Sequence, residues 1–141
     1  MPFQLDRFLP YRLSIAATEV SRRFAARYAA EAGLSIPEWR VLAHLGHSGA
    51  VSVRDITQRV HLDKSVVSRA AARLQKAGYV AKSDHGKDRR LIVLELTPQG
   101  EALMKRLAFV ADDFQAQLLA LLGPDADAFE SGLSRLLECG D

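Results

Sequence analysis

Five polar side chains between residues 64 and 73 combine hydroxyls with cations on one side of a segment that has helical spacing. They are Lys64, Ser65, Ser68, Arg69 and Arg73. A guanidinium group pairs with guanine through two hydrogen bonds, and serine hydroxyls reach phosphates or base edges. A helix N-terminus also favours a phosphate group. The set has the chemistry of a helix that reads the DNA major groove, and an ordinary solvated helix face is the alternative.

A second charged group follows in a polar segment that contains a glycine, as the tip of a hairpin requires. It consists of Lys87, Asp88, Arg89 and Arg90. An arginine suits the narrow, electronegative minor groove of DNA. Asp88 lies two residues before Arg90, so the two side chains would share a strand face and Asp88 would orient the guanidinium. A tip that is charged only for solubility is the alternative, which the preceding basic helix disfavours.

The charge of the chain is concentrated where these two groups lie. The whole chain carries a net charge of only +2. Residues 52–90 hold ten Lys and Arg against four Asp, whereas residues 98–141 hold three Lys and Arg against eight acidic residues. A basic middle beside an acidic C-terminal third is typical of a polyanion-binding element on a scaffold that does not bind. This charge distribution disfavours a protein that packages DNA without sequence specificity.

Capping signals define the elements that must position these groups. Ser35 and Glu38 predict a capping box for a helix that runs to about residue 47. Ser52 predicts a short helix to residue 60, and Asp63 can cap a helix over residues 64–77. The apolar side of that last helix should be buried, and it consists of Val66, Val67, Ala70, Leu74 and Ala77. A short helix, a turn and a longer helix follow the order of a helix-turn-helix.

The remaining segments complete a mainly α fold with a small β-hairpin. The predicted helices cover residues 10–32, 98–122 and 125–137, and the predicted strands cover residues 79–82 and 90–96. The terminal helices are apolar enough to need a partner surface. Their apolar residues are Leu103, Leu107, Val110, Phe114, Leu118, Leu121, Phe129, Leu133, Leu136 and Leu137, which Phe3, Leu5 and Phe8 would join.

Several classes of protein are excluded by length and composition. A chain of 141 residues fits one domain, and no apolar stretch approaches the roughly 18 residues of a membrane span. The charged N-terminus does not suit a signal peptide, and one cysteine fits a reducing, cytoplasmic setting. No motif of a nucleophile, a phosphate-binding loop or a metal set indicates an enzyme, and no cofactor is expected.

These residues and their order resemble the MarR family of transcriptional regulators, over nearly the whole chain. The most specific segments are SVVSRAAARLQKAGYV from Ser65 and the Asp88-Arg89-Arg90 triplet, which Leu96, Thr97 and Gly100 follow. The resemblance implies a winged helix-turn-helix lobe over residues 35–97, with dimerisation helices over residues 1–34 and 98–141. Arg90 would be the wing arginine and Asp88 its orienting partner. The DNA contacts would be Arg54, Lys64, Ser65, Ser68, Arg69, Arg73, Lys87, Asp88, Arg89 and Arg90.

The resemblance also implies partners. A homodimer would bind a pseudo-palindromic operator in double-stranded DNA, with half-sites about one helical turn apart. Repression, relieved by a small phenolic or carboxylate effector, is the commoner mode in the family. A winged-helix module that only binds protein or dimerises is the alternative function. Such a module would expose apolar anchors, whereas the predicted face offers Ser, Arg and Lys.

The residues that would sense an effector are less well defined by the sequence. Trp39 and His44 are candidates for an effector pocket, and a core position is the alternative for Trp39. His44 and His47 lie three residues apart but lack the further ligands of a zinc site, so no metal is expected. Cys139 lies among acidic residues, which disfavours a reactive thiol.

Overall fold

The computed structural model describes residues 2–84 and 92–139, and it folds them into six α-helices and a small antiparallel sheet. The helices are α1 (Leu9–Ala32), α2 (Ile36–Ser48), α3 (Val53–Val60), α4 (Lys64–Lys76), α5 (Pro98–Leu122) and α6 (Ala126–Glu138). The strands are β1 (Val51–Ser52), β2 (Val80–Asp84) and β3 (Ile92–Leu96). Two 3-10 turns, Leu5–Arg7 and Gly123–Asp125, precede α1 and α6. The predicted mainly α winged fold is confirmed.

Local side-chain hydrogen bonds start α2 and α3 at the predicted places. Ser35 accepts a hydrogen bond from the amide of Glu38, whose carboxylate accepts one from the amide of Ser35, which completes the capping box before α2. Ser52 accepts from the amide of Asp55 at the start of α3. Asp63 occupies the N-cap of α4, but its side chain makes no capping hydrogen bond. Asp63 therefore occupies the predicted N-cap position but does not make the predicted capping hydrogen bond.

The sheet has one strand more than the sequence predicted. β3 lies in the middle and pairs antiparallel with both neighbours, in the order β1, β3, β2. Leu94 of the central strand β3 pairs with Val51 of β1 on one side and with Lys82 of β2 on the other. β1 contains only two residues, too few for a visible alternation of apolar and polar positions, so the sequence does not reveal it.

The core lies among α2, α3, α4 and the sheet, with Tyr28 from α1 and two leucines from α5. Val67, Ala70, Ala71 and Leu74 bury one side of α4. The predicted apolar face of α4 is wrong at its edges, because Val66 is only half-buried and Ala77 is exposed. Leu103 and Leu107, predicted to seek a partner surface, lie in this core instead. The core of the same chain therefore buries both leucines.

The chain divides into two compact units, Met1–Ala108 and Phe109–Asp141. The first unit contains the core, and its N-terminal segment exposes a set of large apolar side chains: Phe3, Leu5, Phe8, Leu9, Tyr11, Leu13 and Ile15. In the described part of the second unit, residues 109–139, no residue is buried. Leu137 is 84% exposed there, and Phe109 is 79% exposed. Among the described helices, none combines the length and the apolar character needed to cross a membrane.

Candidate nucleic-acid interface

The polar face of α4 is exposed along the whole helix. All five side chains singled out from the sequence, Lys64, Ser65, Ser68, Arg69 and Arg73, lie on the solvent side of this helix. The opposite side is anchored in the core through Val67 and Leu74, both fully buried. Because the helix is fixed on one side and open on the other, its hydroxyls and guanidinium groups are free to enter a groove.

A tight turn orients α4 against α3. His61 ends α3 with a left-handed backbone (φ 56°), the only positive φ at a non-glycine residue in the described part of the chain. Ile56 of α3 is buried in the same core as Leu74 of α4. The two helices therefore form the helix-turn-helix that the order of elements predicted, with the N-terminus of α3 beside α4.

A cleft of about 340 Å³ lies between α3, α4 and the β2–β3 pair. Three cations, Arg54, Lys64 and Lys82, line it. Hydroxyl and amide groups of Thr57, Gln58 and Ser68 add donors and acceptors to the wall. No ion pair of these three cations is found within the described residues. The described lining of the cleft therefore contains three cations and no acidic residue.

Some of the residues that line the cleft were predicted as DNA contacts from the sequence, and others were not. Arg54, Lys64 and Ser68 were predicted as DNA contacts, and the fold brings them together in one cleft. Lys82, Thr57 and Gln58 were not among the predicted contacts. Lys82 carried a signal, because it lies at the base of the basic hairpin segment. Lys87, Asp88, Arg89 and Arg90 lie outside the described residues, so their predicted roles stay predictions.

Trp39 belongs to an aromatic cluster between α1 and α2. Its ring stacks on Tyr28, with centroids 5.4 Å apart, and meets the edge of Phe24 at 5.1 Å. Burial raises the pKa of Tyr28, and the positive charge of Arg40 acts in the opposite direction. Both Trp39 and Arg40 are half-buried. These ring contacts pack α2 on α1, which is the core position that the sequence offered as the alternative for Trp39, and its role in effector binding stays a prediction.

His44 lies on a different side of α2 from Trp39. The two residues are five positions apart, which is about 140° around a helix. The Nε2 atom of His44 is 3.1 Å from Nη1 of Arg59 and 3.3 Å from Oγ of Ser48. Burial lowers the pKa of His44, and the charges of Arg59 and His47 lower it further. The fold thus joins His44 to α3 and does not bring it together with Trp39.

Known proteins resemble this chain in both sequence and fold. A family model described as "MarR family" matches residues 32–91. The HTH-type transcriptional regulator YfiV of Bacillus subtilis (strain 168), itself uncharacterised, is 31% identical over 104 residues, which are 73% of this chain. The matched region spans 65% of YfiV, just under two thirds of that relative's length.

Two solved structures cover essentially the whole chain. A MarR family transcriptional regulator from Silicibacter pomeroyi DSS-3 is 28% identical, with a TM-score of 0.86, over 99% of this chain and 100% of that one. BpsR of Bordetella bronchiseptica, whose DNA binding is regulated by 6-hydroxynicotinic acid, is 23% identical, with a TM-score of 0.83 and complete coverage of both chains. The likeness to BpsR is one of fold.

Proposed function

We propose that this chain, which is similar to MarR family regulators in sequence and fold, is a homodimeric, sequence-specific DNA-binding regulator of transcription, a repressor that a small effector releases. The observation that carries the proposal is the pairing of an exposed Ser/Arg face on α4 with the cationic cleft beside it. Phosphate contacts position a protein on DNA, and base contacts specify the sequence. The cationic cleft suits phosphate contacts, and the exposed face of α4 suits base contacts.

The roles of individual side chains follow from their positions. Arg69 and Arg73 lie on the exposed side of α4, where an arginine fits the guanine edge in the major groove. Arg54, Lys64 and Lys82 line the cleft as phosphate contacts, with Ser68 between the two sets. Lys87, Asp88, Arg89 and Arg90 complete the proposed interface as the wing, on the strength of the sequence alone.

A homodimer accounts for the apolar side chains that the chain leaves exposed at both ends. Phe3 and Leu9 in the N-terminal segment are 71% and 65% exposed, and Leu136 and Leu137 of α6 are also open to solvent. Large exposed apolar patches mark interaction sites in proteins, since burying such surface is favourable. Two copies with a two-fold axis would bind a pseudo-palindromic operator.

Fluorescence anisotropy on the DNA upstream of the protein's own gene tests the proposal. We expect tighter binding to this DNA than to a scrambled duplex, and affinity that falls with salt concentration because phosphate contacts release counterions. Lys82→Ala should reduce the salt slope by about one for each protomer on the DNA, with little change in sequence preference. Arg22→Ala is the matched control, because it removes one positive charge from the exposed side of α1. Absence of binding to either duplex at low salt would instead support a protein-interaction module.

The effector is proposed as a small aromatic carboxylate or phenol. Trp39 with its neighbours Phe24 and Tyr28 supplies an aromatic wall, and Arg40 supplies a positive charge. His44 stays an effector-site prediction, but its ring nitrogen is engaged by Arg59. Trp39 is the single tryptophan of the chain, so its fluorescence reports on this cluster directly. Quenching by 6-hydroxynicotinate, with release of operator DNA, is expected. An equal response to 6-hydroxynicotinamide would contradict recognition of the carboxylate.

A further inference from the structure

A hydrogen-bonded cluster ties the C-terminal half of α2 to α3. Arg59 of α3 extends its Nη1 atom to within 3.1 Å of Nε2 of His44 and 3.4 Å of Oγ of Ser48. Ser48 Oγ is itself 3.3 Å from the same His44 nitrogen. Among the side-chain hydrogen bonds of the described residues, those of Arg59 are the ones that connect these two helices. We refer to Arg59, His44 and Ser48 as the α2–α3 latch.

The chemistry of the latch requires a neutral imidazole. A guanidinium group only donates hydrogen bonds, so Nε2 of His44 must accept, and the ring proton must reside on Nδ1. A protonated imidazole has no acceptor, and it would place two positive charges at the 3.1 Å separation of the two nitrogens. Protonation of His44 therefore removes the hydrogen bond and adds repulsion in its place.

The charged groups close to His44 in the described part of the chain disfavour its protonated form. The charged groups that act on it are Arg59 from α3 and His47 from its own helix, and both oppose protonation. His47 borders a separate cavity on α2, together with Glu95 of β3 and Glu101 of α5. Burial lowers the pKa of His44 as well. The latch is accordingly closed at neutral pH and opens in acid, below the usual histidine range near pH 6.5.

The latch joins α2 to the helix that lines the cationic cleft. Arg54, Thr57 and Gln58 of α3 face that cleft, and they lie between one and five residues before Arg59 on the same helix. We propose that the α2–α3 latch positions α3 for DNA binding and makes the affinity for DNA fall as the solution is acidified. This inference rests on the proposed function, and Arg59 and His44 act in it as positioning residues rather than as DNA contacts.

The direction of the expected pH effect separates the latch from general electrostatics. Protonation of histidines adds positive charge, which by itself strengthens binding to a polyanion. The latch acts in the opposite direction, because its hydrogen bond is lost when His44 takes up a proton. Loss of one such bond corresponds to a decrease in affinity of roughly three- to tenfold. A fall in affinity with acid is thus a signature that added charge cannot produce.

The test compares operator binding at pH 7.5 and pH 5.5 for the wild type, His44→Gln and His47→Gln. Glutamine at position 44 keeps an acceptor oxygen for Arg59 but does not titrate. We expect the wild type to lose affinity in acid, and His44→Gln to keep or gain it. His47→Gln is the matched control, since it removes a neighbouring imidazole and leaves the three latch residues in place. It should still lose affinity in acid, at the same pH as the wild type or a slightly higher one, because a charge that opposes protonation of His44 is removed. Equal pH profiles for the wild type and His44→Gln would overturn the proposal.

A second measurement is independent of DNA. An NMR titration of the imidazole signals should show that Arg59→Ala raises the pKa of His44, because it removes both the hydrogen bond and the opposing charge. An unchanged pKa of His44 in Arg59→Ala would refute the latch itself. If no variant bound DNA at pH 7.5 while the NMR shift was present, the latch would stand as a contact between helices. The proposed function, and with it the effect on DNA affinity, would then be refuted.

Discussion

Replacing Gly100 with alanine should destabilise the fold through one backbone contact. Gly100 lies in the first turn of α5, and a Cβ atom there would overlap the carbonyl oxygen of Tyr79 and approach the carbonyl carbon to 3.0 Å. That carbonyl oxygen accepts a hydrogen bond from the amide of Thr97 at 3.0 Å. The Thr97 hydroxyl also donates to the carbonyl of Gly78 and accepts from the amide of Gly100. The tight junction between the end of α4 and the start of α5 leaves the backbone no direction in which to move freely.

The size of the effect follows from three opposing contributions. Alanine gains up to about 1 kcal/mol over glycine from helix propensity. Overpacking against a buried neighbour costs about 1–3 kcal/mol or more, and loss of the hydrogen bond between Thr97 and Tyr79 costs about 1 kcal/mol. We therefore expect Gly100→Ala to lower the free energy of unfolding by about 1–3 kcal/mol.

Two other glycines provide a matched series for the same substitution. A Cβ at Gly132 of α6 meets nothing within 4 Å, so Gly132→Ala should be neutral or stabilising. A Cβ at Gly46 of α2 meets Cγ of Met104 at 2.8 Å. Methionine is flexible and adapts to its surroundings, so the cost of Gly46→Ala should lie between those of the other two. The expected order of stability is Gly132→Ala, then Gly46→Ala, then Gly100→Ala.

Urea unfolding followed by circular dichroism measures this order. All variants are compared at one protomer concentration, because the stability of an oligomer depends on concentration. A Gly100→Ala variant as stable as the wild type, with an unchanged dependence on urea, would refute the reasoning. It would mean that the Tyr79 carbonyl and the start of α5 separate at little cost.

Three further predictions concern binding and assembly. Arg69→Ala should weaken operator binding by about 1–3 kcal/mol and relax base preference in each half-site, and anisotropy on substituted operators would contradict this role if the preference were unchanged. Asp88→Ala should weaken binding although it removes a negative charge, and tighter binding in the same assay would show Asp88 to be merely repulsive. Leu137→Asp on the exposed side of α6 should shift sedimentation of a dimer towards the monomer, whereas Gly132→Ala should leave the dimer intact. An unchanged sedimentation profile for Leu137→Asp would exclude that part of α6 from the interface.

The sequence by itself determined the features that depend on near neighbours in the chain. The capping box of Ser35 and Glu38 and the cap of Ser52 involve residues three apart, so their hydrogen bonds form wherever the chain turns into a helix. The polar face of α4 could likewise be derived from helical spacing, because the alternation of apolar and polar positions reports which side is buried. Asp63 shows the limit of this reasoning, since a residue of the right type at the N-cap makes no capping bond.

Only the tertiary structure decided the contacts between residues that are distant in the chain. β1 exists because β3 supplies its hydrogen bonds, and two residues alone carry no strand pattern. Leu103 and Leu107 are apolar at helical spacing like the rest of α5, but the position of the core decides that they are buried. Lys82 joins Arg54 and Lys64 in the cleft, and Arg59 meets His44 across fifteen residues. Such pairs depend on how helices and strands pack, and spacing along one chain segment contains no information about which distant groups will meet.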